Sequence, residues 1–81
     1  MSELPRLRWL CRRGMKELDV VMSGYLERHY ASAAREHQVL FRELLELPDP
    51  ELYGMLLGRS EIDDSELECL ITFLRGMSKS H

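Results

Sequence analysis

Five side chains in this sequence are thiols or imidazoles of the kind that ligate transition metals: Cys11, His29, His37, Cys69 and His81. Metal sites gather such ligands at short spacings such as CxxC, HxxxH or HExxH. None of the five is spaced that way, and His29 and His37 stand eight residues apart across an expected helix break. They read as packing or surface positions. No Ser is flanked by glycines as a nucleophile elbow requires, and no Gly-rich loop could cradle a phosphate. The carboxylates fall where helix caps and solvated faces place them. A chain of 81 residues also has little room for an enclosed substrate pocket. These residues point away from an enzyme and from a resident metal.

One concentration of chemistry remains. From Trp9 to Asp19 the chain carries its only Trp, then Arg12, Arg13, Lys16, Glu17 and Asp19 gathered around Gly14. A plain helix stop would explain Gly14 and leave the charges solvated. Folding a small helical domain needs an apolar stripe and ordinary caps, not so many charges at one corner. Trp and Arg are the residue types most enriched at binding hot spots. A Gly between charged residues lets a partner's backbone approach, with polar side chains on either side to set the register. A lone Trp in a small bundle more often belongs to the core. Trp9, however, lies off the face made by Leu7 and Leu10, which would expose it. The corner reads as a working surface.

The elements that must hold this corner are helical. Ser2 can cap a first helix, with Pro5 tolerated in its first turn. Leu4, Leu7, Leu10 and Cys11 share a face, so helix 1 is expected from Leu4 to Arg12, with Gly14 ending it through a positive φ. Met15, Leu18, Val21, Met22, Tyr25, Leu26 and Tyr30 repeat at three and four, predicting helix 2 from Met15 to Tyr30. Glu17 and Asp19 suit its N-terminal dipole. Gly24 inside it reads as close helix packing.

Ser32 is expected to cap helix 3, from Ala33 to Glu46, with Val39, Leu40, Leu44 and Leu47 as its apolar stripe and Phe41 and Leu45 beside it. Asp49 followed by Pro50 marks the start of a short helix 4 to Leu57, with Asp49 as N-cap, Leu52, Tyr53, Leu56 and Leu57 turned inward, and Gly58 closing it. Asp63 and Glu66 resemble a capping box for helix 5, flanked by Ile62 and Leu67 as a staple. Leu67, Leu70, Ile71 and Leu74 face inward, Gly76 is expected to end the helix, and residues 77–81 read as a frayed tail. The expected fold class is all-α: one compact domain of five short helices, with an ordered core over about residues 4–76.

Composition agrees. Eighty-one residues with 44% apolar and 31% charged content make one modest globular core. No apolar run reaches the length of a membrane span, and the N-terminus lacks the apolar region of a signal peptide. A cytoplasmic monomer is expected, without membrane insertion. Two cysteines without a CxxC spacing are expected to be thiols. Net charge is −3, unevenly spread. Leu4 to Lys16 holds five basic residues and no acid, whereas residues 41–81 hold nine acids against four bases. An acidic domain with one short basic segment is a poor nucleic-acid binder, though the asymmetry can steer a protein partner.

Arg13-Gly14-Met15-Lys16-Glu17 also matches an Arg-Gly-x-x-Glu signature. Together with Trp9-x-Cys11-Arg12, Leu18-Asp19, Leu44-Leu45-Glu46 and Asp49-Pro50-Glu51-Leu52, it resembles the SdhE family of small FAD assembly (flavinylation) factors. The resemblance runs from about Arg8 to Leu74. Met55 stands where the family commonly has a Trp. The resemblance implies a five-helix fold and an assembly factor that binds the flavoprotein subunit of succinate dehydrogenase, with that of fumarate reductase as a second candidate. Such a factor promotes covalent attachment of FAD to the partner and holds no cofactor stably itself. Arg13, Gly14 and Glu17 are implied to bind that partner, with Arg8, Trp9, Asp19 and Asp49 as companions. The alternative from another class is a small regulatory interaction module, antitoxin-like or toxin-modulating, without a flavin role.

Overall fold

A computed structural model of the chain describes residues 3–59 and 61–78. Its elements are α1 (Glu3–Leu10), α2 (Lys16–Arg28), a 3₁₀ turn (Tyr30–Ser32), α3 (Arg35–Leu44), α4 (Asp49–Leu56) and α5 (Ser65–Ser78), with no strand among the described residues. The expected all-α, five-helix architecture is the observed one. The caps expected from Ser2 and the tail beyond residue 78 lie outside the described residues.

The last helix is the hub. α5 packs against α2, α3 and α4, and α1 lies on α2. Leu70, Ile71 and Leu74 of α5 are buried with Leu18, Val21, Met22, Tyr25 and Leu26 of α2. Burying each such side chain fully is worth roughly 1.5–3 kcal/mol. Phe41 fills the middle, its ring 4.7 Å from that of Tyr25 between centroids. Gly24 brings α2 close to α5: a Cβ there would come 3.2 Å from the Met77 methyl.

Helix boundaries differ from expectation where side chains, not backbone propensity, turn the chain. α1 stops at Leu10, and the only positive-φ glycine among the described residues is Gly58. Gly14 is therefore no left-handed helix stop. α3 begins after Ala34, not Ser32, because residues 30–32 wind into the 3₁₀ turn and Ser32 Oγ donates back to the His29 carbonyl. Its inward face is Phe41, Leu44 and Leu45, leaving Val39 exposed and Leu40 and Leu47 only partly covered. In α4, Leu52 and Leu56 are buried but Leu57 is exposed.

Gly58 closes α4 as expected. Its N–H reaches the Met55 carbonyl and the Arg59 N–H reaches that of Gly54, the paired bonds of a Schellman ending. Arg75 of α5 donates to the Leu56 carbonyl at 2.7 Å and shares that of Met55 at 3.2 Å. The α5 cap is Asp64 rather than Asp63. Its carboxylate accepts from the Glu66 and Leu67 N–H groups, so the expected capping box is out of register by one. α5 then runs through Gly76, since nothing turns the chain there.

Candidate functional site

The corner is built where the α1–α2 connection meets the α3–α4 turn. Helix ends leave carbonyls and N–H groups unpaired, and buried ones need partners. Arg13 supplies several at once. Its guanidinium donates to the Leu47 carbonyl at 2.7 Å and, more weakly, to that of Leu44 at 3.4 Å. Its Nε lies 3.4 Å from Asp49 Oδ1 without hydrogen-bond geometry, so that attraction is Coulombic. The Arg13 side chain is only 11% exposed. It works as an internal clamp, fixing the end of α3 and the start of α4.

Two carboxylates hold the backbone on either side. The Arg13 N–H donates to Asp19 Oδ1, and the Gly14 N–H donates to Asp49 Oδ2 at 3.0 Å. Asp49 is not the N-cap of α4. Pro48 occupies that position, and Asp49 is the first helical residue, with Pro50 next. Its carboxylate is thereby free to face Arg13 and Gly14, and it still sits where negative charge suits the helix dipole. Pro48 and Pro50 fix the turn that presents it. Gly14 itself is exposed, and a Cβ there would meet Asp49 Oδ2 at 3.6 Å, an ordinary contact. Nothing inside the molecule demands glycine at this position.

Around this held backbone lie the unheld groups. Trp9 is 71% exposed, which settles its place as surface rather than core. Arg8, Arg12, Lys16 and Glu17 are exposed, and none of them forms an ion pair or side-chain hydrogen bond among the described residues. The seven candidate residues thus divide in two. Arg13, Gly14, Asp19 and Asp49 form one hydrogen-bonded and ion-paired set. Arg8, Trp9 and Glu17 stand outside it at the surface. Behind the set lies Cys11, wholly buried, its thiol pushed up to about 11 by burial against the opposing pull of Arg13. Both cysteines are free thiols, Cys69 being exposed.

The acceptors on Leu44 and Leu47 escape a reading of side-chain types, because they are main-chain carbonyls. Their signal is the end of a helix just before Pro48, which leaves carbonyls that some donor must satisfy. Among the described residues, no group of three or more His, Cys, Asp or Glu side chains could hold a metal ion.

Such an arrangement defines a small all-helical module that carries a charged corner with an exposed Trp. A family model described as the flavinator of succinate dehydrogenase matches residues 5–78. The chain belongs to that family. Similar relatives include the FAD assembly factor SdhE of Shewanella oneidensis, 40% identical over 76 residues that cover 94% of this chain and 93% of that protein. The FAD assembly factor SdhE of Idiomarina loihiensis is 39% identical over 74 residues, covering 91% and 82%. That of Coxiella burnetii is 37% identical over 73 residues, covering 90% and 89%.

Proposed function

We propose that this chain is a flavinylation assembly factor that binds the flavoprotein subunit of succinate dehydrogenase and promotes covalent attachment of FAD to a histidine of that subunit. Family membership supports the class of role. The observation that carries the site is the held Gly14 backbone, with exposed Trp9, Arg12 and Glu17 within five residues of it in the chain and no need of glycine for its own packing. A small residue there leaves room for a partner's main chain. Trp9 offers apolar area and Glu17 a carboxylate to fix the register. Arg13, Asp19 and Asp49 position this surface from within.

The attachment chemistry belongs to the partner and its flavin, and this chain acts without catalysis of its own. A binding protein shifts a partner's conformations only by its differential affinity for them. Preference for the conformation that aligns histidine and flavin raises the rate by positioning. The factor works as a cytoplasmic monomer. No helix among the described residues is long and apolar enough to cross a membrane.

In-gel flavin fluorescence of the denatured flavoprotein subunit tests the proposal, since denaturation strips loosely held FAD. The signal is expected to depend on this chain and to fall with Glu17→Ala. Equal signal in all lanes, where attachment is limiting, overturns it. A parallel lane with the fumarate reductase subunit tests the second candidate.

A further inference from the structure

The shifted face of α3 leaves apolar surface uncovered on the side away from Phe41. Two adjoining clefts, of about 370 and 430 Å³, share Leu40 along this side. Their floor is Val39, Leu40, Leu47, Met55 and Leu67. From Glu36 to Leu44 the groove follows about two and a half turns of α3, with Leu47 of the following turn adding to its lining. Its rim is acidic. Glu36, Glu43 and Glu51 line it, are exposed, and form no ion pair or side-chain hydrogen bond among the described residues. Asp64 and Glu66 stand at one end, engaged in the α5 cap and with His37. Arg35 is the one basic side chain among the described residues lining the two clefts.

We infer that this groove docks a basic amphipathic helix of a partner protein, apolar side chains at i, i+3 and i+7 on the floor and Lys or Arg against Glu36, Glu43 and Glu51. Helices lay their apolar faces into grooves of this kind. Charge complementarity selects the occupant. Three carboxylates without an internal counter-ion around an apolar floor favour a ligand that brings cations, and disfavour an acidic or neutral helix. A second copy supplies no matching helix from α1: its Leu4 and Trp9 are five residues apart and fall on different faces, and Leu7 between them is buried. The inference does not rest on the flavin role and reaches beyond the Gly14 corner.

The probe is a fluorescein-labelled peptide of about 14 residues, long enough for some four turns, with Leu at the i, i+3, i+7 and i+10 positions and Lys beside them. Saturable binding to the full chain is expected, with amide shifts confined to residues 36–47, Met55 and Leu67. The surface double variant Glu43→Lys/Glu51→Lys is expected to weaken it about tenfold or more without changing helicity. Glu17→Ala leaves it unchanged. Equal binding of a scrambled peptide, unchanged binding by the double variant, or shifts elsewhere overturns the inference. So does a dimer that the double variant dissociates, because the occupant is then a second copy. An unsubstituted chain that supports flavin attachment but does not bind the peptide sinks the groove alone, and one that binds the peptide but does not support attachment sinks the assembly role alone.

Discussion

The Gly14 N–H donates to Asp49 Oδ2 at 3.0 Å, joining residues 35 apart in the chain. The bond fixes the one backbone segment that carries the exposed groups of the corner. Asp49→Ala removes the acceptor, the Coulombic contact with Arg13 and a favourable charge at the start of α4. A loss of about 1–2 kcal/mol is expected from a partly exposed charged acceptor. Asp49→Asn keeps one acceptor oxygen and is expected to lose about half as much. Urea unfolding of the three proteins checks the order, and in-gel flavin attachment is expected to fall in the same order.

Arg13 distinguishes a clamp from a contact. Arg13→Lys keeps the charge but gives up the planar fork that reaches Leu44, Leu47 and Asp49 together, so a loss of about 1–2 kcal/mol is expected. Arg13→Ala also removes the side-chain donor of the Leu47 carbonyl, while that of Leu44 keeps the Leu47 N–H, and is expected to lose about 2–3 kcal/mol. For a domain of this size each kcal/mol lowers Tm by about 4–8 °C. Thermal melts with Tm unchanged in both variants would show that Arg13 does not hold the corner.

Gly14 and Trp9 are expected to separate stability from binding. Gly14→Ala adds a Cβ at ordinary contact distance, and Trp9→Ala removes an exposed ring, so each shifts stability within about 0.5 kcal/mol. Binding of the flavoprotein subunit is expected to fall about 30-fold or more for Trp9→Ala, the level of a hot-spot residue. Gly14→Arg is expected to abolish it while the chain stays helical by circular dichroism. Retained binding by Gly14→Arg refutes the corner as the contact.

The thiols should differ sharply in reactivity. Cys11 is buried and its pKa is raised from 9.0 to about 11, so it is protonated and shielded at pH 8, whereas Cys69 is exposed. A thiol reagent is expected to modify one group per chain quickly and the other only as the protein opens. The raised value favours the neutral thiol in the fold. Its stabilising contribution is present in full below pH 9 and is lost as pH rises from about 9 to 11. Cys11→Ala is expected to reduce that alkaline loss.

Legibility in the sequence followed period and faded with distance. The three-four repeat of α2 named a buried face that the fold keeps, from Leu18 to Leu26. Gly58 and the Pro48-Asp49-Pro50 run marked the two ends of α4 to within a residue. The α3 stripe was displaced because Val39, Leu40, Leu44 and Leu47 also fit helical spacing, and only contact with Tyr25 and α5 selects the Phe41 face. Gly14 was visible as a special position, but its reason was not. Its φ is ordinary, and its N–H is taken by a carboxylate 35 residues away, which no local pattern encodes. The same holds for Arg13, whose acceptors are main-chain atoms beyond residue 43.

The corner's long-range closure makes it a proof of completion. Trp9 to Asp19 is written early in the chain, yet its geometry depends on Leu44, Leu47 and Asp49, and Asp49 in turn on an α4 whose far end is tied down by Arg75 of the last helix. A peptide copied from the first two helices lacks Leu44, Leu47 and Asp49, whose acceptors hold this corner. Contacts so distant in sequence form together with the whole fold. The surface proposed to meet a partner is therefore expected only of a finished molecule, and an unfinished or clipped one is expected to carry no competing copy of it.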